Sequence, residues 1–260
     1  MKRLNGWHVV LIAAVAVCAC KKSNVVNVGQ GGSGNQNKEL PDCPAATAPA
    51  HPGPTMVHVG RLDGTCFWMD ETEVTRAQYK VFLDTGPSDT ANVAPCTGNN
   101  PSFSPPTIDL SAAELPIAEV DWCDAAAYCN WANKKLCGTY EAGGQTWPSY
   151  RTTCTDGDNA EFAFDTLTQA GTCNGGGAAA PVAVKSKSGC VTPTLVYDLV
   201  GNVKEWTAEC DGPEMTKQCA ARGGSYASTG DKWGCTAETS VGRTSQSPEI
   251  GFRCCAEEAK

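Results

Sequence analysis

Cysteine is the residue through which this chain could do most chemistry: there are sixteen in 260 residues, against three histidines. Thiolates and imidazoles are the usual ligands of zinc and iron–sulfur centres, and they form the nucleophile–base pairs of many hydrolases. The spacing argues against these uses. No Cys-x-x-Cys occurs, and only His51 and His58 lie beyond the N-terminal leader that contains His8. His51 falls in a proline-rich stretch and His58 in a strand-like one, so both read as structural, and a Ser-His or Cys-His catalytic scheme has little to draw on. The remaining use is disulfide bonding, which points to an oxidising compartment.

The N-terminus agrees with export. Lys2 and Arg3 precede the apolar run Val9 to Val17, which ends in Val17-Cys18-Ala19-Cys20. The run is too short for a stable membrane-spanning helix and reads as a signal peptide over residues 1–19. A small residue before a cysteine makes Cys20 the acylated first residue of a lipoprotein; the alternative is an ordinary signal peptide with incidental cysteines. Setting Cys18 and Cys20 aside leaves fourteen cysteines, an even number. Lys21 is not the aspartate that retains some lipoproteins at the inner membrane. The expected address is therefore the cell envelope, lipid-anchored at the outer membrane and facing periplasm or exterior. The net charge of -8 argues against nucleic acid or anionic lipid as a partner, leaving the anchor as the only membrane contact.

Residues 21–42 are rich in Gly, Asn, Gln and Ser, and residues 43–54 in Pro and Ala. Residues 20–55 thus read as a tether, and residues 56–257 as one folded domain. Within it, Met56-Val-His-Val-Gly60 alternates as a strand and Phe67-Trp-Met-Asp70 reads as another. Thr75 caps a predicted helix to Asp84, and Asp121 caps one from Cys123 to about Asn133. Residues 138–193 read mostly as loop, long enough to need pinning by disulfides or an ion. Short strands are predicted at 202–207, 221–226 and 251–255. Two helices among short strands and long loops is an α+β pattern.

Five segments then resemble the formylglycine-generating enzyme, or sulfatase-modifying factor, family. They are Glu73-Val-Thr-Arg-Ala-Gln-Tyr79, Val120-Asp-Trp-Cys-Asp-Ala-Ala-Ala-Tyr-Cys-Asn-Trp131, Tyr197-Asp-Leu-Val-Gly-Asn-Val-Lys-Glu-Trp206, Arg222-Gly-Gly-Ser-Tyr226 and Gly251-Phe-Arg-Cys254. Each alone is weak; their joint occurrence in order is specific. The match is poorest over 138–193, and Cys137-Gly-Thr-Tyr stands where the family has a Pro-Thr-Glu-rich helix start. The resemblance implies a C-type-lectin-like, loop-rich, disulfide-rich α+β fold.

It also implies calcium. Carried over by position, the ligands are Asp198, the Gly201 and Val203 carbonyls, and Glu205, an all-oxygen set suited to a hard cation. The alternative is that Asp198 and Glu205 cap turns or face water. A second family site would use Asn174, but its acidic partner is missing from 175–180. The family's chemistry oxidises a sulfatase cysteine to formylglycine with molecular oxygen and Cu(I) held by two cysteines. Those positions carry Ser228 and Trp233 here, with Cys235 offset by two, and Lys204 replaces the usual aromatic. A hydroxyl cannot replace a thiolate on soft Cu(I).

The family links its helix cysteine to the terminal Gly-Phe-Arg-Cys, which implies Cys129–Cys254. Proximity and parity suggest Cys43–Cys66, Cys96–Cys123, Cys137–Cys255, Cys154–Cys173, Cys190–Cys210 and Cys219–Cys235. The leading expectation is a lipid-anchored, calcium-stabilised, non-catalytic domain that binds a protein, peptide or glycan. The alternative is an active copper oxidase working through a shifted site at Cys235. The iron-dependent carbon–sulfur bond-forming branch of this fold needs histidines that the sequence lacks.

Overall fold

Two four-stranded sheets carry the fold. In the first, β1 (Met56–Gly60) pairs with β2 (Cys66–Asp70), which pairs with β10 (Cys254–Glu257), which pairs with β3 (Lys135–Leu136), all antiparallel. In the second, the order is β8 (Gly234–Gly242), β7 (Gln218–Gly223), β6 (Lys204–Cys210) and β9 (Ile250–Phe252), with β9 parallel to β6. Arg253 is the single residue between β9 and β10, so the chain passes from one sheet to the other at that point. The computed structural model describes residues 40–88, 94–97, 99, 102–157 and 171–258, which fall in one unit beginning at Gln36. The leader, Cys20 and the proposed lipid site lie outside the described residues.

Helix α1 (Arg76–Asp84) begins as its sequence suggests. The Thr75 side chain accepts from the Gln78 backbone N–H, and the Gln78 side chain accepts from the Thr75 N–H. Helix α2 (Trp122–Trp131) has the same reciprocal cap between Asp121 and Asp124. Tyr79 and Phe82 from α1 meet Tyr128 from α2, Phe103 and Phe252 in a buried aromatic cluster. That cluster fixes the segment leading into Arg253. A second core packs Val59, Phe67 and Met69 against Tyr150, Val196, Leu199 and Val200.

The stretch 138–193 holds more regular structure than its composition suggests. β4 (Thr139–Ala142) and β5 (Gln145–Pro148) form a hairpin that runs into the short helix α3 (Ser149–Cys154). The hairpin turn falls at Gly143 and Gly144, both at positive φ.

The tether also ends earlier than expected. Cys43 is bonded to Cys66, Leu40 packs against the second core, and the Pro41 carbonyl oxygen lies 2.2 Å from where a Cβ at Gly60 would stand. The Pro44 carbonyl accepts from His58 Nδ1 at 3.1 Å. Residues 40–55 thus pack on the domain, because Leu40, a bridge and close backbone approach tie down a stretch otherwise poor in bulky apolar side chains.

Seven disulfides link the fourteen described cysteines. Cys43–Cys66, Cys96–Cys123, Cys129–Cys254 and Cys137–Cys255 are the pairs suggested above. The other three differ: the bonds are Cys154–Cys235, Cys173–Cys190 and Cys210–Cys219. The Cys219–Cys235 pairing fails because Cys219 stands directly opposite Cys210 in the β6–β7 register. Cys235, at the start of β8, instead meets Cys154 at the end of α3. Chain proximity could not foresee either, since strand pairing and helix docking set these neighbours.

Candidate metal turn and the substituted oxidase site

Residues 198–205 form a tight turn entering β6. Asp198, Gly201 and Asn202 all have positive φ, at 57°, 80° and 53°. Gly201 is obligatory there, because a Cβ would lie 2.3 Å from the Asn174 carbonyl oxygen. Asn202 anchors the turn: its backbone N–H donates to Asn174 O at 2.7 Å, and its side chain bonds both the N–H and the carbonyl of Val182. Asn174 is thereby placed. Its Nδ2 donates to Asn202 Oδ1 and to the Ala180 carbonyl, so its amide braces this turn.

Asp198 and Glu205 are only 2% and 0% exposed, which removes the option that they face water. Asp198 Oδ2 accepts from the Lys185 N–H at 2.5 Å. Glu205 forms a two-pronged ion pair with Arg253, Nε to Oε2 at 2.6 Å and Nη2 to Oε1 at 2.7 Å. Arg253 also donates to the carbonyls of Asp70 and Tyr197. Burial raises the pKa of Asp198 to about 6, opposed by the Lys185 hydrogen bond and by Arg253. Burial also raises that of Glu205, against the pull of Arg253.

A third carboxylate, Glu73, lies in the link between β2 and α1. It has no solvent exposure, and neither of its oxygens has a hydrogen-bond partner. Burial holds its pKa well above the carboxylate range, and the nearby Asp198 and Glu205 charges push the same way. Three buried carboxyls thus share one guanidinium. The carried-over ligand set fits a hard cation on two counts: its donors are all oxygen, and the surroundings hold more buried acid than Arg253 balances. The Cys43, His58, Cys66 cluster also gathers ligand atoms within 4.8 Å, but its two sulfurs are joined to each other.

The segment 225–235 is different. Ser228 stands at the first thiol position; its Oγ accepts from the Ser225 N–H at 3.0 Å and lies 3.1 Å from Ser225 Oγ. Ser225 Oγ donates to Glu249 Oε2 at 2.6 Å, and Glu249 pairs with Lys204 at 3.1 Å. The Ser225 hydrogen bond holds the Glu249 carboxyl below its usual range, against partial burial, with Lys204 acting in the same direction. Trp233 stands at the second thiol position. Its indole fills the space over Gly175, where a Cβ would fall 1.9 Å from Nε1. Cys235 is 2% exposed and spent in its bridge to Cys154. The candidate shifted site therefore has no thiol, and all fourteen cysteines among the described residues are bonded. These donors do not fit Cu(I).

Three comparisons bear on this geometry. The family described as the sulfatase-modifying factor enzyme 1-like domain matches residues 19–258. The chain is 30% identical over 165 residues to the Mus musculus "Inactive C-alpha-formylglycine-generating enzyme 2", covering 54% of this chain and 49% of that one. It is 27% identical over 181 residues to the Mus musculus "Formylglycine-generating enzyme", covering 57% and 46%. The chain thus spans about half the length of the curated relatives it matches. Among solved structures, PvdO from Pseudomonas aeruginosa superposes with a TM-score of 0.52 at 19% identity, over 74% of this chain and 81% of that one.

The chain belongs to the sulfatase-modifying factor family. Its fold is the family's mixed, C-type-lectin-like one, and it is disulfide-rich.

Sequence reasoning missed Glu73, Arg253, Ser225 and Glu249. The first three lie inside quoted segments, but nothing in a linear pattern shows that Glu73 and Arg253 converge on residues 198–205. Glu249 reaches Ser225 only because β9 runs parallel beside β6.

Proposed function

We propose that this chain is a non-catalytic member of its family, stabilised by calcium at the 198–205 turn. It is held in the cell envelope by a lipid on Cys20, facing periplasm or exterior, where its loops bind a protein, peptide or glycan. The observation that carries the reading is the pair Ser228 and Trp233, with Cys235 locked to Cys154. Two-thiolate Cu(I) chemistry has no ligands left here. The match to an inactive mammalian relative supports the same reading. The excess of buried acid around Arg253 supports the calcium.

The test is a Cu(I) titration of the mature protein, an oxygen-uptake assay with a sulfatase-type cysteine peptide, and a disulfide map of unreduced peptides. Stoichiometric copper binding or peptide oxidation overturns the reading, as does an alkylatable Cys235. Melting in calcium against EGTA tests the cation separately; a higher Tm in calcium is expected. For the anchor, Cys20→Ala is expected to move the protein from the detergent phase to the aqueous phase.

A further inference from the structure

Glu73 is the least satisfied polar group near the turn. A buried acceptor with no partner costs its full desolvation penalty, so it calls for a specific explanation. A proton does not remove the difficulty, because a protonated carboxyl still has an O–H to place. Arg253 is close enough to act on it electrostatically, yet directs its hydrogen bonds to Glu205, Asp70 and Tyr197.

A calcium ion needs roughly six to eight oxygen ligands. The turn offers Asp198, Glu205 and the Gly201 and Val203 carbonyls, so water must complete the shell. Water enclosed beside these buried side chains needs acceptors for its hydrogens. Among the described residues, the Glu73, Asp198 and Glu205 carboxylates are not all gathered within 4.8 Å of one another. One ion cannot touch all three as they stand, and a water on the ion is the link that remains.

We infer that Glu73 accepts hydrogen bonds from water ligands of a divalent cation held by the turn from Asp198 to Glu205. The cation then joins the link between β2 and α1 to the entry of β6, two regions far apart in sequence. This rests on the calcium reading above and adds a residue outside the carried-over ligand set.

The experiment uses the full mature protein, stripped with EGTA, and its Glu73→Gln variant. Calcium titration calorimetry is expected to show one site in the wild type. In Glu73→Gln the Kd should weaken by roughly tenfold or more. The Tm in EGTA should hold, because without the cation the Glu73 side chain makes no hydrogen bond for the substitution to remove. Terbium luminescence lifetimes in light and heavy water count the waters on the ion directly; at least one is expected on wild type. An unchanged Kd in Glu73→Gln, or a terbium ion with no bound water, overturns this inference while the calcium reading stands. A wild type that binds no calcium overturns both. If Glu73→Gln does not fold, the terbium count on wild type decides alone.

Discussion

The 198–205 turn and the 225–235 segment touch each other, yet they keep opposite kinds of chemistry. The turn carries two buried carboxylates, one paired with Arg253, and is braced by Asn202. The neighbouring segment has hydroxyl and indole where a copper oxidase would need sulfur. Trp233 connects the two, since its Nε1 would lie 3.0 Å from a Cβ at Gly201. The residue at the second thiol position thus buttresses the turn.

The sharpest way to break this comparison is Arg253→Ala. It leaves Glu205, Asp198 and Glu73 buried without their guanidinium, and removing one partner of a buried ion pair costs about 3–5 kcal/mol. Urea denaturation should show that loss in EGTA and a smaller one in calcium. Equal losses in both media would mean that no cation shares the charge with Arg253.

Next in size is the paired substitution Cys154→Ser with Cys235→Ser. Losing the bridge should cost about 2–4 kcal/mol, mostly by freeing the unfolded chain. Cu(I) binding should be absent before and after. If copper uptake changes when this bridge is altered, the segment keeps thiol chemistry and the contrast with the turn collapses.

Gly201→Ala is expected to cost less, about 1–3 kcal/mol from the positive φ, with an added contribution from the Asn174 carbonyl in its way. It should also shift Trp233 fluorescence. Gly230→Ala is the control: it shares a positive φ, but nothing lies within 4 Å of its new Cβ. Matching fluorescence in both variants would show that Trp233 does not rest on the turn.

The local parts of this architecture could be read from sequence because their causes are local. Thr75 with Gln78, and Asp121 ahead of α2, cap their helices through neighbours three residues away. Met56–Gly60 is read as a strand from its own residues and is found as β1. What could not be read depends on residues brought together from afar. β8 shows no clean alternation, Cys210 meets Cys219 only through strand register, and Glu73 meets Asp198 only in the folded core. Asp198 and Glu205 could be named by family position, but the Arg253 pair on Glu205 could not. A linear pattern names a donor and says nothing of what already occupies it.

A last prediction separates buried acid that calcium would relieve from buried acid that it would not. Asp124, in the cap of α2, is raised to about 7, first by burial and then by the adjacent Asp121 charge. Asp198 is raised to about 6 chiefly by burial. In each case the folded state holds its proton more tightly than the unfolded chain. The associated stability is therefore complete below the ordinary aspartate value of 3.8 and is lost as pH rises through the folded value. Each such group can contribute a slope of up to about 1.4 kcal/mol per pH unit within its window. Calcium at the turn favours the ionised form of Asp198, so it should flatten the part of the profile that ends near pH 6. It should leave unchanged the contribution that Asp124 makes up to about pH 7. Asp124→Asn keeps a cap acceptor but cannot ionise, and should flatten only that upper part, with or without calcium. Urea midpoints taken across the range in calcium and in EGTA measure both effects. An Asp124→Asn effect that itself changes with calcium would place Asp124 in the cation's field and dissolve the distinction between the cap and the turn.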